Sequence, residues 1–259
     1  MAPTQIPSWR LHFSAPLLHI AQCGYHGFKG LSANSSVVGY ASNNLRYGSI
    51  GLVPQFAGVG TEGGVLDLQD IKCSDDCSDS VSLSLLSNTG LAGDSYFWIN
   101  WYENPDTGDT EACWVDGAYE KAEGFTITPG QGLWVAGDST DQLFQSAGKV
   151  GTADIAVQLR YGSTLTGNPT PVAVDLQDIR CGEGCSDSVS MSILGNTGLA
   201  GDSYFWIDWY ENPVTGETES CWVDGAYEKV EGFTVTPGQG LWVAGDTTDQ
   251  YIIFPGVEL

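Results

Sequence analysis

Tyr96, Trp98, Asn100 and Tyr102 stand at alternate positions in the segment Ser95–Glu103, and Tyr204, Trp206, Asp208 and Tyr210 repeat them in Ser203–Glu211. Alternate residues of an extended chain share one face, so each set reads as a row of aromatic rings containing one amide or carboxylate. Such a row stacks on sugar rings while its polar group bonds hydroxyls. The competing reading puts the row under a second sheet or the neighbouring repeat, since tryptophan is on average highly buried. The intervening Phe97, Ile99 and Trp101 are all apolar and are expected to face inward.

Carboxylates offer two further chemistries. Glu103 with Asp116, and Glu211 with Asp224, are the nearest candidates for the acid/base pair of a glycoside hydrolase. Both members of each pair lie beside turns, where solvated acids are ordinary. Acid-rich loops are the calcium reading: Asp75, Asp76 and Asp79, then Asp106, Asp109 and Glu111. The second copy has Glu183-Gly184 for Asp75-Asp76 and Val214 for Asp106, and neither spacing fits the EF-hand loop. Calcium is the one cofactor left open, with no metal site assigned.

Histidine placement excludes more than it offers. His12, His19 and His26 all precede the repeated segments, which removes Ser–His and Cys–His nucleophiles and histidine metal sites from both copies. Six of the seven cysteines fall at repeated positions: Cys73, Cys77 and Cys113 against Cys181, Cys185 and Cys221. Paired spacing in an acidic, Gly-rich chain indicates disulfides and an oxidising compartment, while connectivity is not readable from spacing. Either the C-x3-C pair closes a small loop and Cys113 is a buried thiol, or Cys113 bonds one of them and leaves the third free. Three thiols per copy without histidine make a poor zinc site.

The elements that hold these residues are themselves duplicated. The stretch Cys73–Gln142 returns as Cys181–Gln250 at a constant offset and without a gap. The division is residues 1–33 as a leader or disordered segment, 34–150 as a first β repeat domain and 151–259 as a second. Ser80–Leu85 alternates hydroxyl and apolar side chains, so Val81, Leu83 and Leu85 share the core face, as do Val189, Met191 and Ile193. Turn residues recur between short apolar runs, no window keeps a helical period, and glycine is 34 of 259 residues. The fold class is therefore all-β: two tandem antiparallel β-sandwich-like domains from an internal duplication. An open sandwich edge accepts a strand from another copy, and Val37–Tyr40 is the candidate donor, against its reading as an ordinary first strand.

In the N-terminal segment, Arg10 precedes an apolar stretch from Leu11 to Ala21, with Ala33 as a cleavage point. A second reading, ranked below the first because Gln22 stands where a small residue is expected, takes Ile20-Ala21-Gln22-Cys23 as a degenerate lipoprotein box. Beyond it no run approaches the length of a membrane-spanning helix. The excess of 32 acidic over 9 basic residues, a net charge of −23, repels nucleic acid and anionic membranes.

Thr128-Pro129-Gly130-Gln131-Gly132-Leu133-Trp134-Val135, repeated at Thr236–Val243, resembles the Pro-Gly-x-Gly-aromatic turn and strand of repeat modules in secreted bacterial surface proteins. Gly167-Asn168-Pro169-Thr170-Pro171 is similar to a Gly-Asn-Pro-x-Pro loop of the same modules, whereas the first copy has Val53-Pro54-Gln55-Phe56 nearby. The resemblance implies an extracellular β-module and no activity. The expectation is a non-catalytic secreted or cell-surface protein with a structural, adhesive or self-assembly role, partnered by another copy of itself. The alternative is a carbohydrate-binding protein whose partner is a glycan, and a carboxylate hydrolase ranks last.

Overall fold

The computed structural model describes residues 38–45, 48–52, 65–74, 77, 79, 81–86, 92–137, 142–150, 152–159, 161–182, 184–185, 187, 189–194, 200–247 and 250–257. The leader at 1–33, Val37, the Val53–Phe56 segment and the acids Asp75, Asp76 and Glu183 lie outside the described residues.

Short apolar alternations bounded by Gly, Pro and Asp turns form strands, and the described residues carry twenty of them. The first repeat supplies β1 (Val38–Asn44), β2 (Gly48–Leu52), β3 (Leu66–Asp67), β4 (Lys72–Cys73), β5 (Ser82–Leu86), β6 (Ala92–Glu103), β7 (Thr110–Val115), β8 (Thr126–Ile127), β9 (Leu133–Gly137) and β10 (Leu143–Lys149). The second supplies β11 (Ile155–Gln158), β12 (Gly162–Gly167), β13 (Val174–Asp175), β14 (Arg180–Cys181), β15 (Ser190–Leu194), β16 (Ala200–Glu211), β17 (Thr218–Val223), β18 (Thr234–Val235), β19 (Gly240–Gly245) and β20 (Tyr251–Phe254). Five strands assemble in the order β2-β9-β5-β6-β7, three as β1-β10-β4 and two as β3-β8. The second repeat builds β12-β19-β15-β16-β17, β11-β20-β14 and β13-β18 in the corresponding orders. The protein is all-β, with antiparallel pairing within each sheet.

One core per repeat lies between the five-stranded and three-stranded sheets. Leu83, Trp98, Trp114 and Val135 from the larger sheet meet Cys73 and Phe144 from the smaller one. The second core has Met191, Trp206, Trp222 and Val243 against Ile252 and Phe254. Trp114 and Trp222 are fully buried, and removing an indole of about 200 Å² from water stabilises the fold by roughly 5 kcal/mol. Each packs edge-on against the neighbouring Trp98 or Trp206, with ring centroids 5.4 Å apart. Val81 and Leu83, with Val189, Met191 and Ile193, are buried as their alternation predicts.

Strand β1 is paired along its whole length within the chain, from Val38 opposite Lys149 to Asn44 opposite Leu143. It occupies the edge that β11 occupies in the second repeat. Val38–Tyr40 therefore pair within the chain as an ordinary first strand.

A carboxamide joins the core to the hairpin that follows β7. Asp67 caps the 3-10 turn Leu68–Asp70 by accepting from the Gln69 amide at 2.8 Å. The Gln69 side chain then reaches across the sheet, where its Nε2–H donates to the carbonyls of Trp114 (2.8 Å) and Ala122 (3.0 Å). Its Oε1 accepts from the Trp114 amide at 3.1 Å, and the Trp114 indole N–H donates back to the Ile71 carbonyl at 2.8 Å. Gln177 makes the same three bonds, to Trp222 at 2.8 and 3.1 Å and to Val230 at 2.7 Å.

At the start of the second repeat, Asp154 anchors the chain. One oxygen of its carboxylate accepts from the Gly256 amide at 3.0 Å, and the other pairs with Arg180. The Pro129–Gly132 turn of the first repeat sits on β12. Thr166 Oγ1 donates to the Gly130 carbonyl at 2.6 Å, and the Gly132 amide donates to Leu165 at 3.1 Å. A Cβ added at Gly132 would lie 2.6 Å from the Leu165 carbonyl oxygen, so the close approach requires glycine.

Replacing Gln69 with alanine leaves the Trp114 amide without its partner in a part-buried site. The Gln69→Ala chain is expected to lose about 1–3 kcal/mol of stability, read as a lower urea midpoint at unchanged slope.

Candidate functional site

The structure corrects the facing of the aromatic strand. Tyr96 and Trp98 point into the main core, as do Tyr204 and Trp206. Trp98 is 4% exposed and Trp206 8%. Phe97 and Ile99 lie on the opposite face, where Ile99, Cys113 and Val115 form a second, smaller buried cluster with Phe97 and Tyr102 packed against it. Ile207, Cys221 and Val223 repeat that cluster. Alternation groups residues by face, but it does not say which face meets the larger core, and here both faces are covered.

A bulge then breaks the alternation. Ile99 stands opposite Cys113 and Tyr102 opposite Glu111, so Asn100 and Trp101 together face the single residue Ala112. The same two-against-one count occurs at Asp208 and Trp209. A bulge re-aims side chains, and this one turns out a tryptophan that strict alternation would have kept in phase with Ile99. Trp101 and Trp209 are each 51% exposed. Asn100 and Asp208 are exposed beside them, and Tyr102 and Tyr210 are half-buried. The predicted row of four is thus divided between core and surface.

Each exposed indole has two partners. Trp101 Nε1–H donates to Asp79 Oδ2 at 2.8 Å, and Trp209 to Asp187 at 2.7 Å. The ring of Tyr119 lies 5.8 Å from Trp101, tilted by 31°, and that of Tyr227 lies 5.9 Å from Trp209, tilted by 30°. Tyr119 and Tyr227 sit at the tip of the hairpin after β7 and β17. There Asp116 Oδ1 accepts from the Ala118 (2.8 Å) and Glu120 (3.0 Å) amides, and Asp224 does the same in the second copy. The loop holds these tyrosines at φ 63° and 60°, the left-handed region, which costs a residue bearing a Cβ about 1–2 kcal/mol. Glycine or asparagine would fill that position without the penalty.

The other predicted sites are taken apart or accounted for. Glu103 stands opposite Thr110 at the start of β7, and Asp116 follows its end. Six residue steps along the strand separate those points by roughly 20 Å, beyond the roughly 5–9.5 Å over which a glycosidase pair works. Glu211 and Asp224 flank β17 in the same way. Of the calcium acids, Asp79 is bonded to Trp101, and Glu111 pairs with Lys121 at 2.7 Å. Among the described residues no group of three His, Cys, Asp or Glu side chains is placed to hold a metal ion.

Cysteine pairing follows the first alternative. Cys73–Cys77 and Cys181–Cys185 form disulfides with Cα atoms 5.9 Å apart. Cys113 and Cys221 are not disulfide partners; they are free thiols buried in the small clusters. Burial pushes both thiols up, away from the reactive thiolate. Burial also raises the hydroxyls of Tyr96 and Tyr204, helped by Asp94 and Asp116 in one copy and Asp202 and Asp224 in the other.

The exposed Trp–Tyr pairs are the residues that sequence reasoning missed. Their signal was a tyrosine inside an Asp-Gly-Ala-Tyr-Glu turn, where a small or polar residue is the norm. Chemically the pair offers ring faces, an engaged indole N–H and a neighbouring carboxylate. Covering the exposed half of one indole, on the order of 100 Å², returns roughly 2–3 kcal/mol per copy. Searches against protein-family models, characterised proteins and solved structures found no match.

Two outcomes follow. Iodoacetamide applied to the native chain is expected to leave Cys113 and Cys221 unmodified in a peptide map, and to label both in guanidinium. Changing Tyr119 and Tyr227 to glycine relieves about 1–2 kcal/mol of backbone strain per site and removes about 0.5–1.5 kcal/mol of ring contact. Thermal unfolding of the Tyr119→Gly/Tyr227→Gly chain should therefore match the parent to within about 1 kcal/mol per site.

Proposed function

We propose that this chain is an adhesive, non-catalytic protein of the cell surface or extracellular space, which presents one small recognition surface twice. The observation carrying the reading is the exposed Trp101–Tyr119 pair, reproduced at Trp209–Tyr227 to within a tenth of an ångström in ring separation. Each tyrosine occupies a backbone position that local stability would give to another residue, in both copies. A structural role for the ring gains little from half-exposed contact, whereas recognition needs the ring outside. Two weak sites on one body bind a multivalent surface far more tightly than either does alone.

The extracellular part of the reading rests on the two disulfides, which persist in oxidising compartments. No helix among the described residues is long and apolar enough to cross a membrane. A sugar-binding role on Tyr96, Trp98, Tyr204 and Trp206 loses its surface, because those rings are buried. A glycan remains a ligand class to be tested at the exposed pairs.

The test displays the full chain and its Trp101→Ala/Trp209→Ala variant over mixed glycan and peptide arrays. The expected result is a set of spots bound by the parent and lost by the variant, with equal circular dichroism spectra and melting temperatures. Each single variant should weaken retention by about tenfold or more through lost avidity. Identical array patterns for parent and double variant, or no retention of the parent at all, would overturn the proposal.

A further inference from the structure

Resting on that reading, the geometry points to the ligand class: we infer that the two Trp–Tyr pairs take the organic cations of a basic polypeptide, lysine ammonium or arginine guanidinium groups. The faces of indole and phenol rings carry negative potential and attract cations. Two tilted rings with centroids 5.8 Å apart present such faces together. Carboxylates predominate among the polar groups around them, beside the Asn100 amide in the first copy. Asp79 is bonded to the indole edge, which removes the N–H donor that a sugar hydroxyl would use. Asp116 and Glu120 flank Tyr119 on the hairpin, and the nearby ammonium of Lys121 is held by Glu111 at 2.7 Å.

In the second copy Asp187, Asp224 and Glu228 stand in the same places, and Lys229 is held by Glu219 at 2.9 Å. The exposed neighbour on the bulge changes from Asn100 to Asp208, replacing an amide by a further acceptor. The Tyr227 hairpin also borders an open groove of about 460 Å³, whose wall carries four carboxylates, Asp202, Asp224, Glu228 and Glu231, against one ammonium, the Glu219-paired Lys229. A neutral sugar needs donors as well as acceptors; a cation needs π faces and acceptors. The net charge of −23 supplies long-range attraction for the same partner and repels anionic ones.

The probe is a short arginine- and lysine-containing peptide titrated into the full chain, followed by tryptophan fluorescence and calorimetry. A neutral gluco-oligosaccharide and an acidic peptide of equal length are the comparators. Binding of the basic peptide is expected, weakening as salt rises from about 50 to about 300 mM and falling about tenfold or more in Trp101→Ala/Trp209→Ala. Tyr161→Ala, at an exposed tyrosine away from the pairs, is expected to bind as the parent does. Equal binding of the basic peptide by parent and tryptophan variant would overturn the inference, because attraction would then come from diffuse charge. Oligosaccharide binding that depends on the two tryptophans would overturn the cation assignment while leaving the adhesive surface standing. If neither probe nor any array spot responds to the tryptophan changes, both readings fall together.

Discussion

One side-chain carboxamide per repeat holds the molecule's working parts in register. Gln69 uses its donor and its acceptor on the backbone around Trp114 and Ala122, and the Trp114 indole answers on Ile71. The two ends of the Asp116–Lys121 hairpin are thereby fixed against the 3-10 turn, and the largest core side chain is fixed with them. Since the hairpin carries Tyr119 and the adjacent strand carries Trp101, the geometry of the surface pair depends on part-buried bonds at the 3-10 turn. Gln177 does the same for Tyr227 and Trp209.

Much of the architecture was legible in the sequence because it rests on local periodicity. Val81 and Leu83 are buried where alternation puts them, and the turn residues fall between strands. The C-x3-C spacing was compatible with a closed loop, but the choice between that and a bond to Cys113 depended on how β4 and β7 approach, which no spacing encodes. The aromatic strand failed for a related reason. A bulge is a property of two strands counted against each other, so nothing within Ser95–Glu103 announces that Asn100 and Trp101 share one partner. Before the bulge the period held but the faces were exchanged, and after it the period itself changed. Trp98 and Trp101 therefore traded places between surface and core.

Several positions that break local rules meet at the exposed Trp–Tyr surface. A bulge in place of a regular ladder, a tyrosine at positive φ in place of glycine and a half-exposed tryptophan all converge on one patch. Much of the chain agrees with itself: the hydroxyl face of β5 pairs Ser84 with Ser95 at 2.8 Å, and Asn168 satisfies its buried amide on Val172 and Val235. Irregularities occur elsewhere too, at the register shifts after Ser84 and Ser192 and at the buried Thr164 hydroxyl. At the Trp–Tyr patch, however, three coincide, and such coincidence is where specialised roles are expected.

The seating of Gly130 and Gly132 on β12, with Asp154 anchoring the start of the second repeat, has a geometric consequence. Among the described residues the two repeats touch directly at these glycines and cluster as one compact unit. A flexible linker lets two sites search many separations and pays entropy each time both engage. Contact between repeats removes part of that entropy in folding, whatever the two surfaces meet. The spacing of the two repeats is thus set where two glycines allow one backbone to lie against another.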